Sequence, residues 1–241
     1  MLTYKEIQSL NDLELEVYKY IISNKNKIAD MKIRELAEKS HVSTTTVLRF
    51  CKKMGCDGYS EFKLKYKLYG EEKQNSAYEI DANFMIDYFK KVNNKEFDDK
   101  LNEVAKLIGE SDKAVFIGIG TSGVLGKYGA RYLSNIGKFV QYITDPYHPV
   151  PKGYYEDSVV IALSVSGETE QTIEHVNKFK SYNCKIVSIT NSETSTLAKI
   201  SDITLAYYMP IDLARENLNI TSQVPVIYMI EVIGRKLKKY I

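Results

Sequence analysis

Two short stretches of this chain gather glycines and hydroxyls where an apolar run gives way to a helical pattern. Gly118-Ile119-Gly120-Thr121-Ser122-Gly123 follows AVFIGI, and Ser164-Val165-Ser166-Gly167-Glu168-Thr169 follows SVVIALS. Glycine lets backbone approach a bound group closely, while the start of a helix offers unpaired N–H groups and the positive end of a dipole. Neither turn contains Lys or Arg, so a bound anion would be balanced by dipoles and hydroxyls rather than by an ion pair. An ordinary N-cap accounts for one hydroxyl per turn but not for the three of the second. The chemistry this suits is capture of the compact dianion of a small phosphorylated molecule, with Ser122 on one side and Ser164, Ser166 and Thr169 on the other. Gly120, Thr121, Gly123, Gly167 and Glu168 complete the two turns.

A loop after the next apolar run, Asp145-Pro146-Tyr147-His148, would overhang this crevice. His148 there is as compatible with pairing to a hydroxyl or phosphate as with no ligand role. The first turn also satisfies G-x-G-x-x-G, and Asp145 lies 22 residues beyond Gly123, at the end of the second strand pattern. That is the arrangement of a dinucleotide site, so an NAD(H)-sensing domain is a rival reading.

A different chemistry is written in residues 32–53. KIRELAEKSHVSTTTVLRFCKKMG reads as two short helices around a tight turn at Ser40–Val42, a helix-turn-helix. Ser43, Thr44, Thr45 and Thr46 are mediocre helix formers that a core would not select. At a helix N-terminus their hydroxyls suit phosphate oxygens and base edges, and Arg49, Lys52 and Lys53 follow on the same helix. A capped helix with solvated threonines and surface lysines is the plainer reading of the same spacing. His41 with Cys51 and Cys56 lacks the spacing of a structural zinc site, and no metal or cofactor is expected.

The elements that must carry these residues fall into two patterns. Upstream of residue 70, Asn11 with Glu14 forms a capping-box signature ahead of Leu13, Val17, Tyr20 and Ile21 at helical spacing. A second helix begins near Ile33, and a third takes Ser43 as N-cap, turns Val47, Cys51 and Met54 inward and stops at Gly55. Downstream, apolar runs at 114–119, 138–144, 158–164, 185–190 and 202–207 alternate with helical stretches near 122–136, 169–181, 195–200 and 222–240. Near-continuous apolar strands alternating with helices predict a five-stranded parallel sheet covered on both faces. Residues 81–109 add one or two amphipathic helices. The expected division is therefore an all-α helix-turn-helix domain over 1–72, a polar linker over 73–80, and a doubly wound α/β domain over 81–241.

Charge agrees with this division. The chain of 241 residues carries 33 Lys+Arg against 31 Asp+Glu, a formal net charge of +2, too small for a protein that coats nucleic acid along its whole length. Residues 1–70 hold 13 basic and 9 acidic side chains, which leaves 20 and 22 for residues 71–241: a basic head and a slightly acidic body. Three cysteines without metal spacing point to a reducing cytosol rather than a disulfide scaffold. The N-terminus lacks a signal-peptide h-region, and the apolar stretch VPVIYMIEVIG is short and broken by Glu231, so no membrane partner is expected.

Taken in order along the chain, these motifs resemble the RpiR family of bacterial transcriptional regulators, in which a helix-turn-helix precedes a SIS (sugar isomerase) domain. ELAEKSHVSTTTVLRFCKKMGCDGYSEFK is similar to the family's DNA-binding segment, including Gly55, Gly58, Tyr59, Glu61, Phe62 and Lys63. GIGTSG and SVSGET are similar to its two phosphate-binding turns, and Asp145 with His148 to a D-x-x-H between them. The resemblance implies a cytoplasmic homodimer or homotetramer that binds a double-stranded DNA operator and senses a phosphorylated sugar held by Ser122, Ser164, Ser166 and Thr169. It also raises an enzymatic alternative, a phosphosugar isomerase with Glu168, Glu216 or His148 moving the proton. Thr221-Ser222-Gln223 departs from the family's T-S-R, which leaves the arginine's contacts without a counterpart.

Overall fold

A computed structural model describes residues 4–24, 27–72, 77–214 and 218–241. The chain divides into two compact units, residues 1–90 with 208–222 and residues 91–207 with 223–241.

In the first unit, α1 (Tyr4–Ser9), α2 (Asp12–Ser23), α3 (Ile33–Lys39), α4 (Thr44–Lys53) and α5 (Tyr59–Glu72) precede α6 (Ala77–Val92), which runs past the unit boundary. The capping box at the head of α2 forms as the sequence predicts: Glu14 N–H donates to Asn11 Oδ1, and Asn11 N–H donates to Glu14 Oε2, each at 2.9 Å. α4 ends where Gly55 takes φ +65°, with Gly55 N–H donating to the Lys52 carbonyl and Cys56 N–H to that of Cys51. This paired closure satisfies carbonyls the helix end would orphan. Val17, Tyr18, Ile21, Leu36, Val47, Phe50 and Cys51 form the core. Phe50, absent from the expected inward set, is buried, whereas Met54 is half-buried. The stretch expected as linker meets α6 from Ala77 onward.

The second unit opens on α7 (Lys95–Glu110) and continues β1 (Ala114–Ile117), α8 (Thr121–Ile136), β2 (Val140–Ile143), α9 (Lys152–Tyr155), β3 (Val159–Ser164), α10 (Glu170–Lys180), β4 (Lys185–Thr190), α11 (Thr196–Lys199), β5 (Ile203–Ala206) and α12 (Val224–Leu237). The five strands form one parallel sheet in the order β2-β1-β3-β4-β5. β1, β3 and β4 are buried along most of their length, as strands covered on both faces must be. Side chains alternate between the faces. Val115, Ile117, Val160, Ala162 and Ile186 pack with Val176 and Phe179 of α10. Phe116 points the other way, close against Gly126 and Gly129 of α8, and α12 packs on α7 and α8.

β1 stops at Ile117, earlier than its apolar run suggests. A Cβ on Gly118 would lie 2.9 Å from the Ser122 carbonyl carbon, and one on Gly123 would lie 2.6 Å from the Gly118 oxygen. The strand ends because the start of α8 crosses it at backbone distance.

Candidate functional site

β1 and β3 are neighbours, yet the chain leaves them in opposite directions: β1 leads through α8 to β2, and β3 through α10 to β4. Right-handed crossovers of opposite direction put the two helices on opposite faces and open a crevice at the carboxyl ends of these strands. The two hydroxyl-rich turns occupy those ends, on strands about 4.8 Å apart. α8 and α10, of 16 and 11 residues, start from them, so two sets of unpaired N–H groups border one cleft.

Each turn bends at a glycine with positive φ, Gly120 at +61° and Gly167 at +67°. In the second turn, Gly167 N–H donates to Ser164 Oγ at 3.1 Å, and Ser164 Oγ lies 3.0 Å from Thr169 Oγ1. Ser166 Oγ accepts from Glu168 N–H at 3.1 Å. The Ser166 proton is therefore free to point outward, and its side chain is exposed while Ser164 is buried. In the first turn, Gln223 Nε2 donates to Thr121 Oγ1 at 2.9 Å, and Ser122 Oγ donates to Gln223 Oε1 at 3.4 Å. Gln223 is the N-cap residue of α12, so its amide ties the starts of two helices together and leaves the Thr121 proton available.

A third loop, unnoticed in the sequence, braces the second turn. Asn191 N–H donates to the Val165 carbonyl at 3.1 Å, and Leu197 N–H to that of Gly167 at 3.0 Å. A Cβ at Gly167 would sit 2.2 Å from Ser195 Oγ. The signal was the hydroxyl density of Thr190-Asn191-Ser192-Glu193-Thr194-Ser195-Thr196, which repeats the hydroxyl-rich composition of the two turns after the next strand.

Two expected site residues are turned to other work. The Glu168 carboxylate accepts the Thr196 N–H at 2.9 Å, capping the start of α11. His148 Nε2 lies 3.2 Å from Tyr155 Oη, and its carbonyl is 3.3 Å from His175 Nε2, so the ring is anchored toward α9. Burial pushes the Tyr155 phenol above its ordinary range, with Tyr154 adding to the effect. The Asp145 carboxylate, which the dinucleotide reading assigns to a ribose, accepts Tyr147 N–H at 2.9 Å within its own loop. Glu216, the remaining acid–base candidate, lies outside the described residues. Among the described residues no group of three His, Cys, Asp or Glu is placed to hold a metal ion.

In the helical unit, α3 and α4 meet at a turn in which His41 takes φ +55°. Ser43 caps α4, its Oγ accepting from Thr46 N–H at 3.1 Å. Ser43, Thr44, Thr45, Arg49 and Lys52 are exposed together. Two residues depart from the expected DNA-facing set. Thr46 is buried, its hydroxyl 3.0 Å from Ser43 Oγ, because helix rotation puts it one turn ahead of Phe50 on the core side. Lys53 projects its ammonium to Glu14 Oε2 and to the Ser9 carbonyl, both at 2.5 Å, and so neutralises a buried carboxylate. Of the lysines downstream, Lys65 bonds Glu61 and the Gly55 carbonyl, and Lys63 lies over the Tyr59 ring.

The fold and these two sites define a two-part protein, a helix-turn-helix joined to a doubly wound domain with paired glycine- and hydroxyl-rich turns. Residues 4–73 match the helix-turn-helix domain of the rpiR family, and residues 107–230 match the SIS domain. The chain belongs to the RpiR family and is a transcriptional regulator carrying a SIS domain. It is 27% identical over 246 residues to an uncharacterised HTH-type transcriptional regulator of Clostridium perfringens, covering 94% of this chain and 87% of that one. It is likewise 27% identical over 205 residues to the HTH-type transcriptional regulator GlvR of Bacillus subtilis, covering 80% and 76%. In fold it is similar to the Vibrio vulnificus NanR protein complexed with ManNAc-6P, with a TM-score of 0.56 at 21% identity over 98% of this chain and 91% of that one. No described helix is long and apolar enough to cross a membrane.

Proposed function

We propose that this regulator binds a double-stranded DNA operator through α4 and senses a phosphorylated sugar in the crevice between β1 and β3. The observation that carries the reading is the convergence of two glycine-bent, hydroxyl-bearing helix starts on the switch point of the sheet. Backbone N–H groups of α8 and α10 and the hydroxyls of Thr121, Ser122, Ser164, Ser166 and Thr169, with Gly120, Gly123 and Gly167 allowing close approach, take the phosphate. Glu168 and His148 serve as scaffolding for the turns and loops rather than as ligands. The effector class is suggested by the NanR protein, whose structure holds ManNAc-6P. The exposed face of α4 reads the operator, with Ser43, Thr44 and Thr45 at its start and Arg49 and Lys52 beyond.

The working protein is a cytoplasmic homodimer or homotetramer, divided into a head of residues 1–72, a connection over 73–80 and a sensing half of 81–241. Paired heads then meet a palindromic site spaced by whole helical turns. Effector acts by favouring one arrangement of the assembly over another, since equal affinity for both shifts nothing.

The test is a thermal-shift panel of hexose, pentose and amino-sugar phosphates with NADH as comparator. A phosphosugar raises the melting temperature of the wild type, because a ligand that binds only the folded state stabilises it by mass action, and Ser166→Ala abolishes the shift. A shift produced by NADH alone, or one that survives Ser166→Ala, overturns the assignment.

A further inference from the structure

α4 is divided lengthwise. Thr46, Val47, Phe50 and Cys51 face the core, where Phe50 packs edge-on against Phe62 at 5.7 Å between ring centroids. Thr44, Thr45, Leu48, Arg49 and Lys52 are exposed. At about 100° per residue these five occupy an arc of roughly 140°, and Leu48 lies between Thr44 and Lys52 within it. The residue is 39% exposed and lies off the core-facing side of the helix, which Thr46, Val47, Phe50 and Cys51 occupy. The outer part of its side chain is left in water.

The surroundings of Leu48 say what kind of group could meet it. Two cations and two hydroxyls flank it, and α4 carries no acidic residue. A surface of this composition takes a polyanion, and an apolar spot within it needs an apolar group that the polyanion itself presents. DNA has one such group in the major groove, the C5-methyl of thymine. RNA lacks it, and the deep, narrow major groove of A-form RNA cannot be read by side chains.

We infer that Leu48 packs against a thymine methyl in the operator and is a specificity-determining residue of the head. This rests on the DNA-reading role proposed for α4 and adds to it the identity of one base per half-site.

The experiment uses the full-length protein. Duplexes are selected from a randomised library, and each thymine of the enriched site is then replaced singly by deoxyuridine, which deletes the methyl and keeps base pairing. Affinity is measured by fluorescence anisotropy for the wild type and for Leu48→Ala, with the melting temperature of the variant checking its fold. One replacement per half-site weakens wild-type binding about fourfold, the factor that hiding a methyl-sized group from water is worth, and Leu48→Ala shows no penalty at that position. Uniform tolerance of deoxyuridine by the wild type, or a penalty that persists in Leu48→Ala, overturns the inference while leaving DNA binding by α4 intact. A library from which no sequence is enriched overturns both assignments.

Discussion

Lys53 Nζ stands 2.5 Å from Glu14 Oε2, and the Glu14 side chain is only 2% exposed. The same Glu14 oxygen accepts the Asn11 N–H that closes the capping box of α2. A lysine near the end of α4 thus neutralises a carboxylate at the start of α2, locking the two helices together inside the head. Arg49 and Lys52 on the same helix are exposed, and the chemical difference between Lys52 and its neighbour yields the first expectation.

Lys53→Ala destabilises the head by about 1–3 kcal/mol, because the buried Glu14 carboxylate loses its charged partner. Lys52→Ala changes stability by less than about 0.5 kcal/mol. Urea denaturation of the two variants checks this, and equal midpoints would show that the Glu14 pair contributes nothing.

On DNA the order reverses. Lys52→Ala weakens binding evenly across sequences and reduces the slope of log affinity against log salt by about 1, the share of one phosphate contact. Arg49→Ala costs about 1–3 kcal/mol at the preferred site and relaxes specificity. Anisotropy titrations at several salt concentrations separate the effects, and an unchanged operator affinity in Arg49→Ala removes that residue from recognition.

Gly167→Ala damages both fold and site. Its φ of +67° costs a side chain about 1–2 kcal/mol, and the new Cβ would meet Ser195 Oγ at 2.2 Å. A lower melting temperature is expected together with loss of the phosphosugar-induced shift, whereas Ser166→Ala, at an exposed position, loses the shift and keeps its melting temperature. A Gly167→Ala protein with wild-type stability would mean that the turn relaxes without its brace.

Stability falls above pH 9. Burial, reinforced by Cys56, pushes the Cys51 thiol from 9.0 up to about 12, and burial, reinforced by Cys51 and Glu35, pushes the Tyr59 phenol from 10.0 up to about 12. Burial raises Tyr18 as well, against the opposing hydrogen bond that the Ile211 N–H donates to its oxygen. These groups stay protonated in the folded head but ionise in the unfolded chain once pH exceeds its ordinary values, so the unfolded state binds fewer protons and gains ground. Melting curves by circular dichroism should be flat in these terms between pH 7 and 8.5 and decline from pH 9 to 11. A level profile to pH 11 would refute the burial of these groups.

Much of this architecture was legible in the chain. The capping box at Asn11 and Glu14, the cap at Ser43, the stop at Gly55 and the five apolar strands are each encoded within a few residues, where local hydrogen bonds and periodicity act. Thr44, Thr45 and Thr46 are identical letters with different fates, because the rotation of α4 against the head core turns Thr46 inward. Glu168 read as a site residue because it sits in the turn, yet its carboxylate is taken by Thr196, 28 residues away in sequence.

From residues alone came the two-part organisation, the order of elements and the places where hydroxyls and glycines collect, since each depends on neighbours along the chain. Only tertiary structure decided the full order of the strands, that Gln223 reaches Thr121 across 102 positions, and that Lys53 serves Glu14. Such pairings depend on sheet order and on how each helix is rotated over its core, and those are fixed by the packing of the whole unit rather than by any local stretch of sequence.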